Sequence, residues 1–192
     1  MSVMPGSKKA KKKIQIIKTA EDLFTKHGIK RITVEEICQK AGVSKMTFYK
    51  YFSNKIELVQ YLWQMWLEQG IKEVDKISEM DIDFPEKLEM ILRYKLEFTS
   101  NWNPDFLAEL LSLDISLEEV INYIIQFMIE AQKRGDIRPE IRPEFLMAAY
   151  DKLFELARDD ELRKIYPDMS DFTRELFNFY FHGVLNKRGP ES

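Results

Sequence analysis

The segment from residue 33 to residue 55 constrains the fold of this chain more than any other. Thr33, followed three residues later by Glu36, has the pattern of a capping box, which predicts that a helix begins directly after Thr33. Gly42 readily adopts the left-handed backbone conformation that ends a helix, and Ser44 can cap a second helix. Two short capped helices joined by a glycine turn are typical of a helix-turn-helix, whose second helix enters the major groove of DNA.

The second of these helices carries side chains that suit DNA. Its first turn lies closest to the base edges in such a motif, so Lys45, Met46 and Thr47 are the candidates for reading bases. Hydroxyl and ammonium groups further along can bind phosphate, as can Lys55 in the next helix. The predicted DNA-binding residues are Thr33, Ser44, Lys45, Met46, Thr47, Tyr49, Lys50, Tyr51 and Lys55.

Residues 14–58 resemble the DNA-binding domain of the TetR/AcrR family of bacterial transcriptional regulators. The resemblance rests on buried, turn and capping positions, which are Ala20, Leu23, Phe24, Gly28, Thr33, Ile37, Ala41, Gly42, Val43, Ser44, Thr47, Tyr49, Tyr51, Phe52, Lys55 and Leu58. The chain departs from the family at Met46, where a small residue or proline is usual. The resemblance implies an all-α fold, with an N-terminal three-helix helix-turn-helix domain followed by a larger helical ligand-binding and dimerisation domain. The apolar periodicity along the chain agrees with about nine helices.

The distribution of charge also separates an N-terminal part of the chain from a larger second part. Residues 1–60 carry 13 Lys+Arg against 5 Asp+Glu, a net charge of +8, whereas residues 61–192 carry 16 against 27, a net charge of −11. A basic end attracts phosphate, although the first lysines alone could be a solubilising tail. We predict a disordered basic tail at 1–12, a helix-turn-helix DNA-binding domain at 13–57, and a helical effector-binding and dimerisation domain at 58–192.

The last two predicted helices are apolar over a band wider than one neighbouring helix requires. The family resemblance implies that they form a two-fold four-helix interface, and a homodimer follows from it. The alternative is that both helices are buried within one subunit. The predicted interface residues are Leu146, Ala149, Tyr150, Leu153, Phe177, Tyr180, Phe181 and Val184.

Aromatic residues are concentrated in the acidic part of the chain, where 19 of the 24 lie in residues 61–192. This excess is consistent with a pocket for an unknown small apolar or aromatic effector, and equally with aromatic filling of a core. The predicted ligand-binding residues are Trp63, Trp66, Tyr94, Phe98, Trp102, Tyr123 and Phe127.

An enzyme is disfavoured, because the only two histidines, His27 and His182, fall in different predicted domains. The sequence has neither metal-ligand spacing nor a glycine-rich phosphate loop, so we predict no cofactor and no metal. The single Cys38 rules out an intrachain disulfide and suits a reducing cytoplasm. The basic start leads into an amphipathic helix rather than an apolar block, which predicts no secretory signal. The longest uncharged run in the most apolar region, residues 120–129, is too short to span a membrane.

The function predicted from the sequence is that of a cytoplasmic, sequence-specific DNA-binding transcriptional regulator. It acts as a repressor that a small apolar or aromatic ligand releases from a palindromic operator. The alternative is a constitutive, ligand-independent DNA-binding protein, because its helix-turn-helix would look the same.

Overall fold

The computed structural model describes residues 8–113, 118–156, 160–166 and 169–184, and the chain is helical along most of these stretches. The predicted all-α class is confirmed. The described residues form ten helices: α1 (Lys8–His27), α2 (Val34–Lys40), α3 (Lys45–Tyr49), α4 (Lys55–Ser78), α5 (Phe84–Thr99), α6 (Pro104–Leu111), α7 (Glu118–Lys133), α8 (Pro143–Glu155), α9 (Asp160–Ile165) and α10 (Met169–Val184).

Two elements differ from the sequence expectation. Helix α1 begins at Lys8, so residues 8–12 are helical where a disordered tail was predicted; residues 1–7 lie outside the described part of the chain. Lysine and alanine are good helix formers and no breaker follows Gly6, which explains the extension. Helix α9, six residues long, was not predicted at all, because so short a helix shows little apolar periodicity.

The caps of the helix-turn-helix form as its sequence predicts. The Thr33 hydroxyl oxygen accepts a hydrogen bond from the Glu36 N–H at 3.2 Å and caps α2. Gly42 has φ +63°, the left-handed conformation expected of the turn. The Ser44 hydroxyl oxygen accepts from the Thr47 N–H at 3.2 Å and caps α3, which ends at Tyr49.

The chain divides into two compact units, and the division differs from the predicted boundary at 57/58. The first unit comprises the described residues of 1–74 and 98–116. Its core joins side chains from the helix-turn-helix with Phe106 and Leu110 of α6. Helix α6 therefore belongs to the same compact unit as the helix-turn-helix, although some fifty residues separate them along the sequence.

The second unit comprises the described residues of 75–97 and 117–192. Its core includes Phe84, Met128, Leu146 and Tyr180, from α5, α7, α8 and α10. The Tyr180 hydroxyl donates a hydrogen bond to the Leu146 carbonyl at 2.5 Å, which ties α10 to α8 within the subunit. No helix in the described part of the chain is long and apolar enough to cross a membrane.

Candidate nucleic-acid interface

Helix α3 is anchored on one side and exposed on the other. Phe48 is fully buried in the core of the first unit, and Val43, just before the cap, packs against the same core. Met46 is 83% exposed and Tyr49 is 52% exposed, and the Tyr49 ring packs edge-on against Phe48 with centroids 5.5 Å apart. The helix therefore presents predicted base-reading and phosphate-binding side chains to solvent from a fixed backbone.

Lys45 lies at the start of this exposed surface and is paired with an acidic residue that the sequence analysis did not select. Its ammonium group forms an ion pair with the Glu35 carboxylate of α2, and both side chains are more than half exposed. The hydrogen bond between them raises the pKa of Lys45 and lowers the pKa of Glu35, so both groups are charged at neutral pH. The two residues are ten positions apart, on either side of the turn, which is why no local spacing rule identifies the pair.

The two capping hydroxyls remain near this surface but already have partners. The Ser44 and Thr47 hydroxyl oxygens are 3.0 Å apart, so they share a hydrogen bond in addition to the cap. Thr33 and Ser44 are exposed, and Thr47 is half-buried. The Thr33 and Ser44 hydroxyls that are predicted to contact phosphate are therefore the same groups that cap α2 and α3.

Tyr51 and Lys55 lie in surroundings that differ from the predicted ones. Tyr51 is half-buried and packs against the core of the first unit rather than standing on the exposed face. The Lys55 ammonium group donates to the carbonyls of Ile29 and Ile32 at 2.6 and 2.7 Å. A longer contact reaches the carbonyl of Lys30 at 3.3 Å. These bonds occupy the three N–H donors of the ammonium group in this structure.

The same loop between α1 and α2 is held from its other side by α6. The Glu109 carboxylate accepts hydrogen bonds from the backbone N–H groups of Ile29 and Lys30, the second at 2.9 Å. Burial lowers the pKa of Lys55, and the nearby charge of Glu109 partly opposes that effect. We call this arrangement of Lys55, Glu109 and the loop at residues 29–32 the loop clamp.

Two further features bring α6 close to the end of α1. Gly28 has φ +82°, and a Cβ atom at this position would lie 3.1 Å from a carboxylate oxygen of Glu109. The Asn103 N–H donates to the Thr25 carbonyl at 2.7 Å, and the Asn103 side chain caps α6 through the Asp105 N–H at 2.8 Å. Because Gly28 and Glu109, like Thr25 and Asn103, are about eighty residues apart in sequence, local sequence patterns carry no signal for these two contacts.

The seven predicted ligand-binding residues divide between the two compact units. In the first unit, Trp66, Phe98 and Trp102 form an aromatic cluster together with Phe106, with ring centroids 5.0–6.2 Å apart. Trp66 is buried and its indole N–H donates to Glu21 at 2.9 Å, as expected of a core residue. The half-buried Trp63 differs from it, because its buried indole N–H has no hydrogen-bond partner among the described residues.

The other three candidates, Tyr94, Tyr123 and Phe127, belong to the second unit. The Tyr123 hydroxyl donates to Asp75 at 2.8 Å, and burial raises the pKa of Tyr123, with the Asp75 carboxylate adding to the effect. Phe127 stacks on Phe84 with centroids 6.0 Å apart. The described residues contain no group of His, Cys, Asp and Glu that could hold a metal ion.

The predicted dimer residues whose side chains the structure describes are largely buried within the subunit. Leu146 is 1% exposed and Tyr180 is 6% exposed, and both pack in the core of their own unit. Ala149 and Phe177 also pack against that core. The side chains of Tyr150, Leu153, Phe181 and Val184 lie outside the described part of the structure.

On α8 and α10, the large apolar side chains that the structure describes as exposed to solvent are not among the predicted dimer residues. Phe145 is 65% exposed and Phe179 is 72% exposed, and neither was selected from the sequence as an interface residue. Because both helices carry apolar residues on several sides, the sequence does not show which side packs in the core and which side is exposed to solvent. Phe145 and Phe179 therefore lie exposed on two helices that pack together within the unit.

Comparisons with known proteins find similarity to regulators over the helix-turn-helix. A sequence model described as "Bacterial regulatory proteins, tetR family" matches residues 16–62, which contain α2, α3 and the predicted DNA-binding residues. The HTH-type transcriptional regulator TtgR of Pseudomonas putida is 48% identical over 48 residues, covering 25% of this chain and 23% of that protein. The nucleoid occlusion factor SlmA of Vibrio campbellii is 28% identical over 110 residues, covering 57% of this chain and 55% of that protein. The chain thus spans about half or less of the length of these relatives.

A solved structure extends the likeness to most of the chain. The regulatory protein TetR from Rhodobacter sphaeroides matches with a TM-score of 0.66 at 20% sequence identity, covering 90% of this chain and 98% of the other. At this level of identity the likeness concerns the fold, which combines a helix-turn-helix with further helices in both proteins.

Proposed function

We propose that this chain is a TetR-family regulator and acts as a homodimeric transcriptional repressor that binds a palindromic operator in the cytoplasm. A small apolar or aromatic ligand releases it from that operator. The observation that carries the proposal is helix α3, which buries Phe48 and exposes Met46 and Tyr49 between a capped start and the start of α4.

We call the exposed side of α3 and the caps beside it the reading surface, and we assign its residues from their solvent exposure and their hydrogen-bond partners. Lys45, Met46 and Thr47 read base edges from the first turn of α3, while Tyr49 and Lys50 bind phosphate. Thr33 and Ser44 contribute phosphate contacts next to the helix starts that they cap. Tyr51 and Lys55 support the surface from within the domain, because their side chains are engaged there.

A dimer is required because a single helix in the groove reads only a few base pairs. Phe145 and Phe179 are the proposed centre of the contact, since both are large, apolar and exposed on helices of one core. Burying them against a second copy removes apolar surface from water and places two reading helices on one duplex.

The effector is proposed to bind next to Trp63. A buried indole N–H without a partner costs about 1–3 kcal/mol, which a ligand carrying a hydrogen-bond acceptor would recover. Trp63 lies on α4, whose first residue, Lys55, is part of the loop clamp beside the reading helix. A ligand that prefers one position of α4 can therefore alter the reading surface, provided that it binds the two states with different affinity.

The experiment is a titration of the full chain with a panel of small aromatic compounds, in the absence and presence of a DNA duplex selected by the protein. An effector should quench tryptophan fluorescence and weaken DNA binding by about 5- to 150-fold. The duplex should weaken the effector by the same factor, because coupling between two sites is reciprocal. Trp63→Phe should weaken the effector and leave DNA binding unchanged, whereas Trp102→Phe, a control in the neighbouring cluster, should weaken it less. A compound that binds tightly without changing DNA affinity would contradict release by ligand while leaving the DNA-binding assignment intact.

A second candidate function is constitutive DNA binding without an effector. It is favoured by the likeness to a nucleoid occlusion factor, which spans more of this chain than the likeness to TtgR. Footprinting on chromosomal DNA separates the two functions: a repressor protects discrete palindromes near a few genes, and no compound from the panel would release a constitutive binder.

A further inference from the structure

Glu35 contacts the reading helix although it is not part of it. It lies in the first turn of α2, and its carboxylate pairs with the ammonium group of Lys45, the first residue of α3. Glu35 is 58% exposed and Lys45 is 56% exposed, so both are accessible to an approaching duplex. The pair therefore lies at the surface where the proposed function places DNA.

This pairing affects two kinds of DNA contact differently. Binding of a lysine to phosphate depends on its net charge and on the release of counterions from the duplex, and a neighbouring carboxylate cancels that charge. Binding to guanine depends on directional N–H donors aimed at O6 and N7. An ammonium group has three N–H donors, so one can remain with Glu35 while the others reach a base.

We propose that Glu35 is a specificity-determining positioning residue, which holds the Lys45 ammonium group at the base-reading surface and reduces its sequence-independent attraction to phosphate. The assignment rests on the proposed function and names a residue that acts through Lys45. A carboxylate so close to the duplex repels phosphate and therefore lowers the affinity for every DNA sequence. Only a sequence that offers hydrogen-bond acceptors to Lys45 regains this affinity.

The neighbouring Glu36 provides a matched control. It carries the same charge on the same helix, but its carboxylate pairs with Lys40 at 3.8 Å, one turn further along α2. Glu36→Gln and Glu35→Gln therefore change the net charge equally, and only Glu35→Gln frees a lysine of the reading helix.

The test measures the affinity of the full chain for two duplexes of equal length as a function of salt. One duplex is selected by the wild-type protein from a randomised pool, and the other has a random sequence. For Glu35→Gln, the affinity for the random duplex at 0.1 M salt should rise by about five- to tenfold, with a salt slope steeper by about 0.9. The affinity for the selected duplex should rise less, so that the ratio of the two affinities falls by about threefold or more. Glu36→Gln should leave this ratio near the wild-type value.

A double variant separates positioning from a merely structural role of the pair. Once Lys45→Ala has removed the ammonium group, adding Glu35→Gln should leave the ratio of affinities unchanged. The proposal is overturned if Glu35→Gln leaves the wild-type ratio unchanged, if Glu36→Gln lowers it equally, or if the effect persists in the Lys45→Ala background. A wild-type protein that binds both duplexes equally would instead overturn the proposed function, and the role of Glu35 with it.

Discussion

Phe179→Asp is expected to make the protein monomeric and to weaken its binding to the operator by about 100-fold or more. Phe179 is 72% exposed on α10, and Phe145 is 65% exposed on α8 of the same unit. An aspartate in an apolar contact between two copies would bury a charge without a partner, which strongly disfavours the contact. Without the dimer, each reading helix binds alone and loses the high effective concentration that its partner provides.

The exposure of Phe179 makes this variant informative, because its replacement leaves the core of the subunit intact. Ile121→Asp is the matched control: it introduces the same charge in place of an apolar residue that is 40% exposed on α7. Sedimentation equilibrium gives the oligomeric state, and a DNA titration gives the affinity. Phe179→Asp protein that remains dimeric with wild-type affinity would exclude this face as the dimer interface.

The second large effect is expected from Lys55→Met, which keeps the length of the side chain and removes its three donors. The carbonyls of Ile29 and Ile32, both buried residues, would lose their hydrogen bonds. Leaving buried acceptors unsatisfied costs about 1–3 kcal/mol, which for a protein of this size lowers Tm by about 2–12 °C. Because Lys55 acts within the loop clamp rather than on phosphate, the salt slope of DNA binding should not change.

Lys50→Met is the control for this prediction, since it makes the same change at an exposed lysine of the reading surface. It should leave Tm unaltered and lower the salt slope by about 1. Glu109→Gln should reproduce part of the Lys55→Met effect, because its carboxylate holds the other side of the loop. If Lys55→Met lowered the salt slope at constant Tm, Lys55 would be a phosphate ligand, as the sequence alone suggests.

The parts of this fold that the sequence predicted are those that local chemistry determines. Thr33 and Ser44 cap their helices as expected, and Gly42 has the left-handed conformation that its place in the turn requires. Helix α2 begins at Val34, directly after Thr33, as the capping box predicts. Each of these features depends on residues at most a few positions apart, so a single chain without relatives contains enough information.

The parts that were missed depend on contacts between distant residues. Glu109 reaches the loop after α1 across about eighty residues, and the Lys55 ammonium group bonds to carbonyls of the same loop. Glu35 meets Lys45 across the turn of the helix-turn-helix. In α10, an apolar residue occurs on nearly every side of the helix. The sequence therefore could not show that Tyr180 packs inward while Phe179 remains exposed.

Whether two copies of this chain read a palindrome through α3 is tested most directly by selecting duplexes from a random-sequence pool with the wild-type protein. We expect enrichment of an inverted repeat bound by two protomers, with half-sites about one helical turn, roughly 34–36 Å, or a multiple of that, apart. Selection by Lys45→Ala protein should return the same symmetry with relaxed preference at one position of each half-site. A wild-type pool without an enriched sequence, or with one that lacks two-fold symmetry, would contradict the account.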